Sequence, residues 1–71
     1  MRLLTLTEPT MKGEDVRQWQ KFLVSRGIKL NPDGDFGNLT YKATRLWQYR
    51  AGLKYDGKVG PLTIAAARKY G

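Results

Sequence analysis

The sequence predicts an all-α fold, a compact three-helix domain built from two helix-loop-helix repeats that share the middle helix. Three observations carry this. Apolar residues recur at helical spacing in two separate stretches. A glycine stands just past each stretch. The octets Asp33–Thr40 (DGDFGNLT) and Asp56–Thr63 (DGKVGPLT) spell one pattern, Asp-Gly-x-apolar-Gly-x-x-Thr, twice. With 71 residues the chain makes one small domain, whose core is necessarily thin. It has no Cys for a disulfide, and without Cys or His a structural zinc lacks its usual ligands. The core must therefore come from Leu, Val, Ile, Trp and Phe.

The first helix is expected over residues 14–26, where Val16, Trp19, Gln20 and Leu23 fall at i, i+3, i+4 and i+7. Glu14 and Asp15 occupy its first turn, where negative charge suits the helix dipole. Gly27 closes it, and Phe22, beside the apolar stripe, is positioned to cover a loop. Residues 28–37 form a loop, with Asn31-Pro32-Asp33-Gly34 as a dense turn signal. The second helix is expected from Asn38, as N-cap, to Arg50. Its stripe is Thr40, Ala43, Thr44 and Trp47, widened by Leu39 and Leu46, and Gly52 ends it. After a second loop, Pro61 opens a third helix at the position where proline loses no useful hydrogen bond. Ile64 and Ala67 are expected to face inward, and Ala65-Ala66-Ala67 permits close helix approach.

The repeat is longer than the octets. Trp19-Gln20 precedes Gly27, Asp33-Gly34 and Thr40; Trp47-Gln48 precedes Gly52, Asp56-Gly57 and Thr63. The second unit is five residues shorter between Trp and Thr, 16 against 21.

This register decides how the carboxylates are understood. Asn31, Asp33 and Asp35 match the first three alternating ligands of a calcium loop, but Phe36 stands where that loop needs glycine and Lys42 where it needs glutamate. A glycosidase pair needs two carboxylates in different environments across a cleft. Asp33 and Asp56 instead precede glycine in matched turns, so each is expected to accept backbone N–H groups and fix its turn. No Cys or His can serve Ser25 or a threonine as the usual base, and no phosphate-binding glycine loop is present. The chain itself is expected to be non-catalytic, with no metal and no cofactor. Gln20 lies on the buried stripe and Gln48 follows Trp47, each in register with the loop after it and expected to bond that loop's backbone, with ligand contact as the alternative. Together with Asp33, Gly34, Gly37, Asp56, Gly57 and Gly60 they form the expected turn and loop support. Trp19 and Trp47 are repeat-matched core positions, whereas Tyr41, Tyr49 and Tyr55 are the better candidates for exposed aromatic contacts.

Thirteen Lys and Arg against six Asp and Glu give a formal charge of +7. That favours anionic partners: nucleic acid, teichoic acid, anionic lipid or acidic glycan. A nucleic-acid-binding helical domain is the alternative reading. It needs a recognition helix with its basic residues on one face, and here they are spread over three helices and the loops. The opening Met1–Thr7 is too short and polar for a signal peptide, and no apolar run approaches a membrane span. A monomer is expected.

Taken in order, Leu6, Pro9, Met11, Gly13, Asp15-Val16, Trp19-Gln20, Leu23, Gly27, Asp33-Gly34, Phe36-Gly37, Thr40, Ala43, Trp47-Gln48, Gly52-Leu53, Asp56-Gly57, Val59-Gly60-Pro61 and Thr63 resemble the three-helix peptidoglycan-binding domain of bacterial and phage cell-wall hydrolases. Three positions depart from that pattern: Trp19 replaces a usual leucine, Trp47 a usual phenylalanine and Thr44 a common valine. The resemblance implies that residues 1–71 are one peptidoglycan-binding-like domain, a non-catalytic module of a larger cell-wall enzyme. Its implied partners are peptidoglycan, often through the peptide stems, and a covalently linked catalytic domain. Its implied location is the bacterial cell wall or periplasm, or the wall as reached by a phage lysin. Stems end in carboxylates, which arginine grips through a planar fork, and the start of the second helix offers free N–H groups. The expected ligand-binding groove is therefore Asp35, Phe36, Asn38, Tyr41 and Arg45.

Overall fold

Helical periodicity sets three helices in the computed structural model, which describes residues 2–70. They are α1 (Glu14–Ser25), α2 (Asn38–Arg50) and α3 (Pro61–Tyr70). The all-α expectation holds, and the helix starts fall where the sequence puts them. Asn38 is not the cap, however. Gly37 takes the extended N-cap conformation and Asn38 is the first helical residue, with no side-chain cap hydrogen bond.

Both long connections begin with the same helix stop. The Gly27 N–H reaches Val24 O at 3.0 Å and the Ile28 N–H reaches Leu23 O at 3.2 Å. Gly52 and Leu53 repeat this with Tyr49 O at 3.1 Å and Gln48 O at 2.9 Å. These paired bonds satisfy carbonyls that a helix end leaves open. They also aim the following apolar residue inward, and Ile28 is buried.

The core is Leu4, Val16, Trp19, Leu23, Ile28, Phe36, Ala43, Trp47, Val59 and Ala67. Phe22 does not cover a loop. It stacks on Trp19 at 5.3 Å between centroids and meets Trp47 edge-on at 5.3 Å, while the two indoles meet at 90° and 5.7 Å. Leu39 and Leu46 do not widen the buried stripe either, since Leu39 is 74% exposed and Leu46 41%. Ala67 is buried and Ile64 packs against the core from its margin.

Two departures from the family pattern explain each other. The Trp19 indole N–H is buried and donates to Thr44 Oγ1 at 3.0 Å; Thr44 in turn donates to Thr40 O at 2.8 Å. An indole brought into this core needs an acceptor, and valine at position 44 would offer none.

The segment before α1 joins the fold by pairing with both loops. Two isolated antiparallel bridges are present among the described residues, Leu4 with Val59 and Lys12 with Asp35. The Val59 N–H reaches Leu4 O at 2.7 Å, and the Phe36 N–H reaches Met11 O at 2.9 Å. Phe36 and Val59 are the matched apolar residues of the two octets, so one segment ties down both.

Candidate functional site

Each octet becomes a loop-to-helix joint organised around a buried glutamine. Gln20 Nε2, with two hydrogens to share, lies within hydrogen-bond distance of Thr40 Oγ1 at 2.8 Å, Asp35 O at 3.0 Å and Asp33 Oδ1 at 3.1 Å. Its Oε1 accepts the Gly34 N–H at 2.7 Å. Gln48 repeats the set. Its Nε2 lies within hydrogen-bond distance of Lys58 O at 2.9 Å, Thr63 Oγ1 at 3.1 Å and Asp56 Oδ1 at 3.3 Å, and its Oε1 accepts the Gly57 N–H at 2.9 Å. Both amides are fully buried, and hydrogen bonds at both the nitrogen and the oxygen of each make that burial tolerable.

The aspartates finish the joints. Asp33 Oδ1 accepts the Asp35 N–H at 3.0 Å, and Asp56 Oδ1 accepts the Lys58 N–H at 3.0 Å. Each carboxyl is held below the usual carboxylate range, first by that backbone N–H, with the glutamine amide assisting. Gly34 and Gly57 take φ of +80° and +76°, the left-handed region. A Cβ at Gly57 would also run into the Tyr41 ring.

Outside each joint lies a shallow groove, and the two grooves are repeat-equivalent. The first, about 230 Å3, is flanked by Leu30, Asn31, Asp35, Asn38 and Leu39. The second, about 260 Å3, has Leu53, Lys54, Lys58, Pro61 and Leu62 at the same places, with Leu3 added. Acceptors and amides in one are exchanged for lysines and proline in the other. In the first groove Asp35 Oδ1 is enclosed by protein yet has no hydrogen-bond partner.

The five expected ligand residues do not line one groove. Asp35 and Asn38 flank the first groove. Phe36 is 0% exposed and belongs to the core. Tyr41 and Arg45 turn to the second loop. Arg45 Nε donates to Tyr55 O at 3.0 Å, and its guanidinium carbon stands 5.8 Å from the Tyr41 ring centroid and 5.5 Å from that of Tyr55. The reason is helix rise: about 10 Å separates Asn38 from a residue seven positions on. That distance carries the stripe from the first joint to the second.

Sequence reasoning passed over Leu4, the ties that bind the N-terminal segment, and the contact between Tyr49 and Tyr55. Alternation of Leu4 and Leu6 with Thr5 and Thr7 was a usable period-two signal for the first. The tyrosine contact links a helix to a loop and left no trace in local sequence. Among the described residues no group of three or more His, Cys, Asp or Glu is arranged to hold a metal ion. Among the described residues no helix is long and apolar enough to cross a membrane.

Residues 12–67 match the family described as "Putative peptidoglycan binding domain". The chain is 33% identical over 70 residues to the N-acetylmuramoyl-L-alanine amidase CwlL of Bacillus licheniformis, covering 94% of this chain and 19% of the amidase. It superimposes on a Burkholderia AP3 phage endolysin with a TM-score of 0.85 at 32% identity, covering 93% of this chain and 24% of that one. A peptidoglycan-binding protein from Clostridioides difficile, solved in complex with glutamine hydroxamate, gives a TM-score of 0.84 at 29% identity, covering 93% of this chain and 40% of that one.

Proposed function

Because the chain belongs to the peptidoglycan-binding domain family, we propose that it is the wall-docking module of a larger cell-wall hydrolase. It spans only 19% of the amidase and 24% of the endolysin it resembles, which suits a module joined to a separate catalytic unit. Peptidoglycan is the ligand, and the module performs no chemistry. Tethering raises the local concentration of a linked enzyme at its insoluble substrate, so modest affinity suffices.

The observation that carries the site is the contrast between matched frames and unmatched surfaces. Gln20 and Gln48 bind identical sets of backbone and threonine groups, so those atoms are committed to folding. Outside the frame, Asp35 and Asn38 flank the first groove, whereas Arg45 stands on α2 against the second loop. At the first groove, the exposed Asn38 amide fits the peptide groups of a stem. Arg45 fits a stem carboxylate through its terminal N–H groups.

The test is co-sedimentation with teichoic-acid-free sacculi across a salt series. The wild-type chain binds and keeps binding at moderate salt, while Arg45→Ala weakens binding and, by losing the Tyr55 O hydrogen bond, lowers the melting temperature by only a few degrees. Binding that collapses with salt to the level of an unrelated basic protein would reduce the interaction to charge alone.

A further inference from the structure

We propose that Tyr49 and Tyr55 form a stacking platform for the sugar chain of peptidoglycan, distinct from the groove at Asp35 and Asn38. The inference rests on the peptidoglycan reading above and adds which part of the polymer is met here. Tyr49 closes the exposed side of α2 and is 67% exposed; Tyr55 comes from the second loop and is 49% exposed. Their rings meet at 83° with centroids 5.6 Å apart. A helix and a loop thus hold two aromatic rings in one fixed arrangement at the surface.

The surroundings keep the platform in place. Arg45 bonds the Tyr55 carbonyl at 3.0 Å and lies against the rings of both Tyr55 and Tyr41. Tyr41 in turn covers Gly57, whose missing Cβ leaves room for its ring. Beyond its Nε, the Arg45 fork is uncommitted, because the two ion pairs among the described residues engage Arg2 and Arg17.

The chemistry of this cluster fits an N-acetylated sugar. One face of a pyranose ring is lined with C–H groups, which suit the negative face of a tyrosine ring, and its rim carries hydroxyl and acetamido groups, which suit phenol and guanidinium. Tyrosine also offers a large contact area at little entropic cost, since only two side-chain torsions are fixed. Stacked nucleic-acid bases would use the same residue types, so they form an arm of the test.

The experiment compares intact sacculi, glycan strands freed of their stems by amidase digestion, and a single-stranded oligonucleotide. The wild-type chain binds the stem-free strands, and Tyr49→Ala and Tyr55→Ala each lower that affinity by about tenfold. Tyr49→Phe and Tyr55→Phe retain it within about twofold, because the ring face is what binds. Circular dichroism of both alanine variants matches wild type. Wild-type binding to intact sacculi without binding to stem-free strands overturns this inference and leaves the wall-docking reading standing. So does unchanged strand binding by both alanine variants. An oligonucleotide that competes as well as glycan, and is lost in the same variants, assigns the platform to nucleic acid and overturns the proposal. Binding to neither intact sacculi nor free strands removes the wall-docking reading itself.

Discussion

The joint at Asp33–Thr40 and the joint at Asp56–Thr63 share their inward polar groups and differ at the outward positions. In both, one glutamine serves a glycine N–H, a carbonyl, a threonine hydroxyl and a carboxylate. Outside, Asn31, Asp35 and Asn38 are exchanged for Lys54, Lys58 and Pro61. Inward positions face backbone groups that must be paired, so few side chains suit them. Outward positions face solvent and can diverge to meet a ligand. The comparison therefore divides the motif into a frame for folding and a surface for recognition.

The frame is where mutation should hurt most. Gln20→Ala and Gln48→Ala each leave a buried N–H, carbonyl and hydroxyl short of partners, with an expected loss of about 3 kcal/mol. Urea unfolding of both variants measures it. Closely similar losses support equivalent frames; a loss confined to one joint would break the comparison, and the N-terminal ties would then be the first place to look.

A middle effect comes from the coupled pair in the core. Thr44→Val strands the Trp19 N–H and should cost about 1–2 kcal/mol. Adding Trp19→Leu removes the orphan donor, so the double variant should lose clearly less than the sum of the two single losses. Strict additivity would mean that the two departures are unrelated.

The smallest effect belongs to the aspartates, which lie at the solvent edge of the frame. Asp33→Ala and Asp56→Ala should each cost about 1 kcal/mol or less. Both carboxyls titrate below the ordinary value in the folded chain. Their stabilisation is thus complete above the unfolded value of about 3.9 and drains away as pH falls through the lower folded values. Asp33→Asn with Asp56→Asn should flatten the acid limb of a stability–pH curve below about pH 4. An unaltered acid limb would assign that limb to Asp15 and Glu14, whose carboxyls are also held low by Arg2 and Gln18 in turn.

Most of the fold was legible because its signals are local. Helical spacing, two stopping glycines and Pro61 mark the helices within a residue or so. The repeat announced the joints before any coordinate did, and it singled out Gln20 and Gln48 as loop supports. The site was less legible. The octet pattern marks Phe36, like Val59, as the apolar plug of its joint, and full burial leaves it no place in the expected groove. Arg45 is expected in the first groove for its carboxylate-binding fork, whereas the helix delivers its side chain to the second loop.

By itself the sequence determined the periodic and the repeated: three helices, two matched joints, the identity of the amides that support them, and a basic surface. These depend on interactions within a few residues or on a pattern written twice. Only the tertiary structure decided what meets across distance. It placed Leu4 against Val59, gave the Trp19 N–H to Thr44, and set Tyr49 against Tyr55 beside Arg45. Those contacts join segments whose separation along the chain carries no period. They arise when packing brings two faces together and each buried polar group must find a partner.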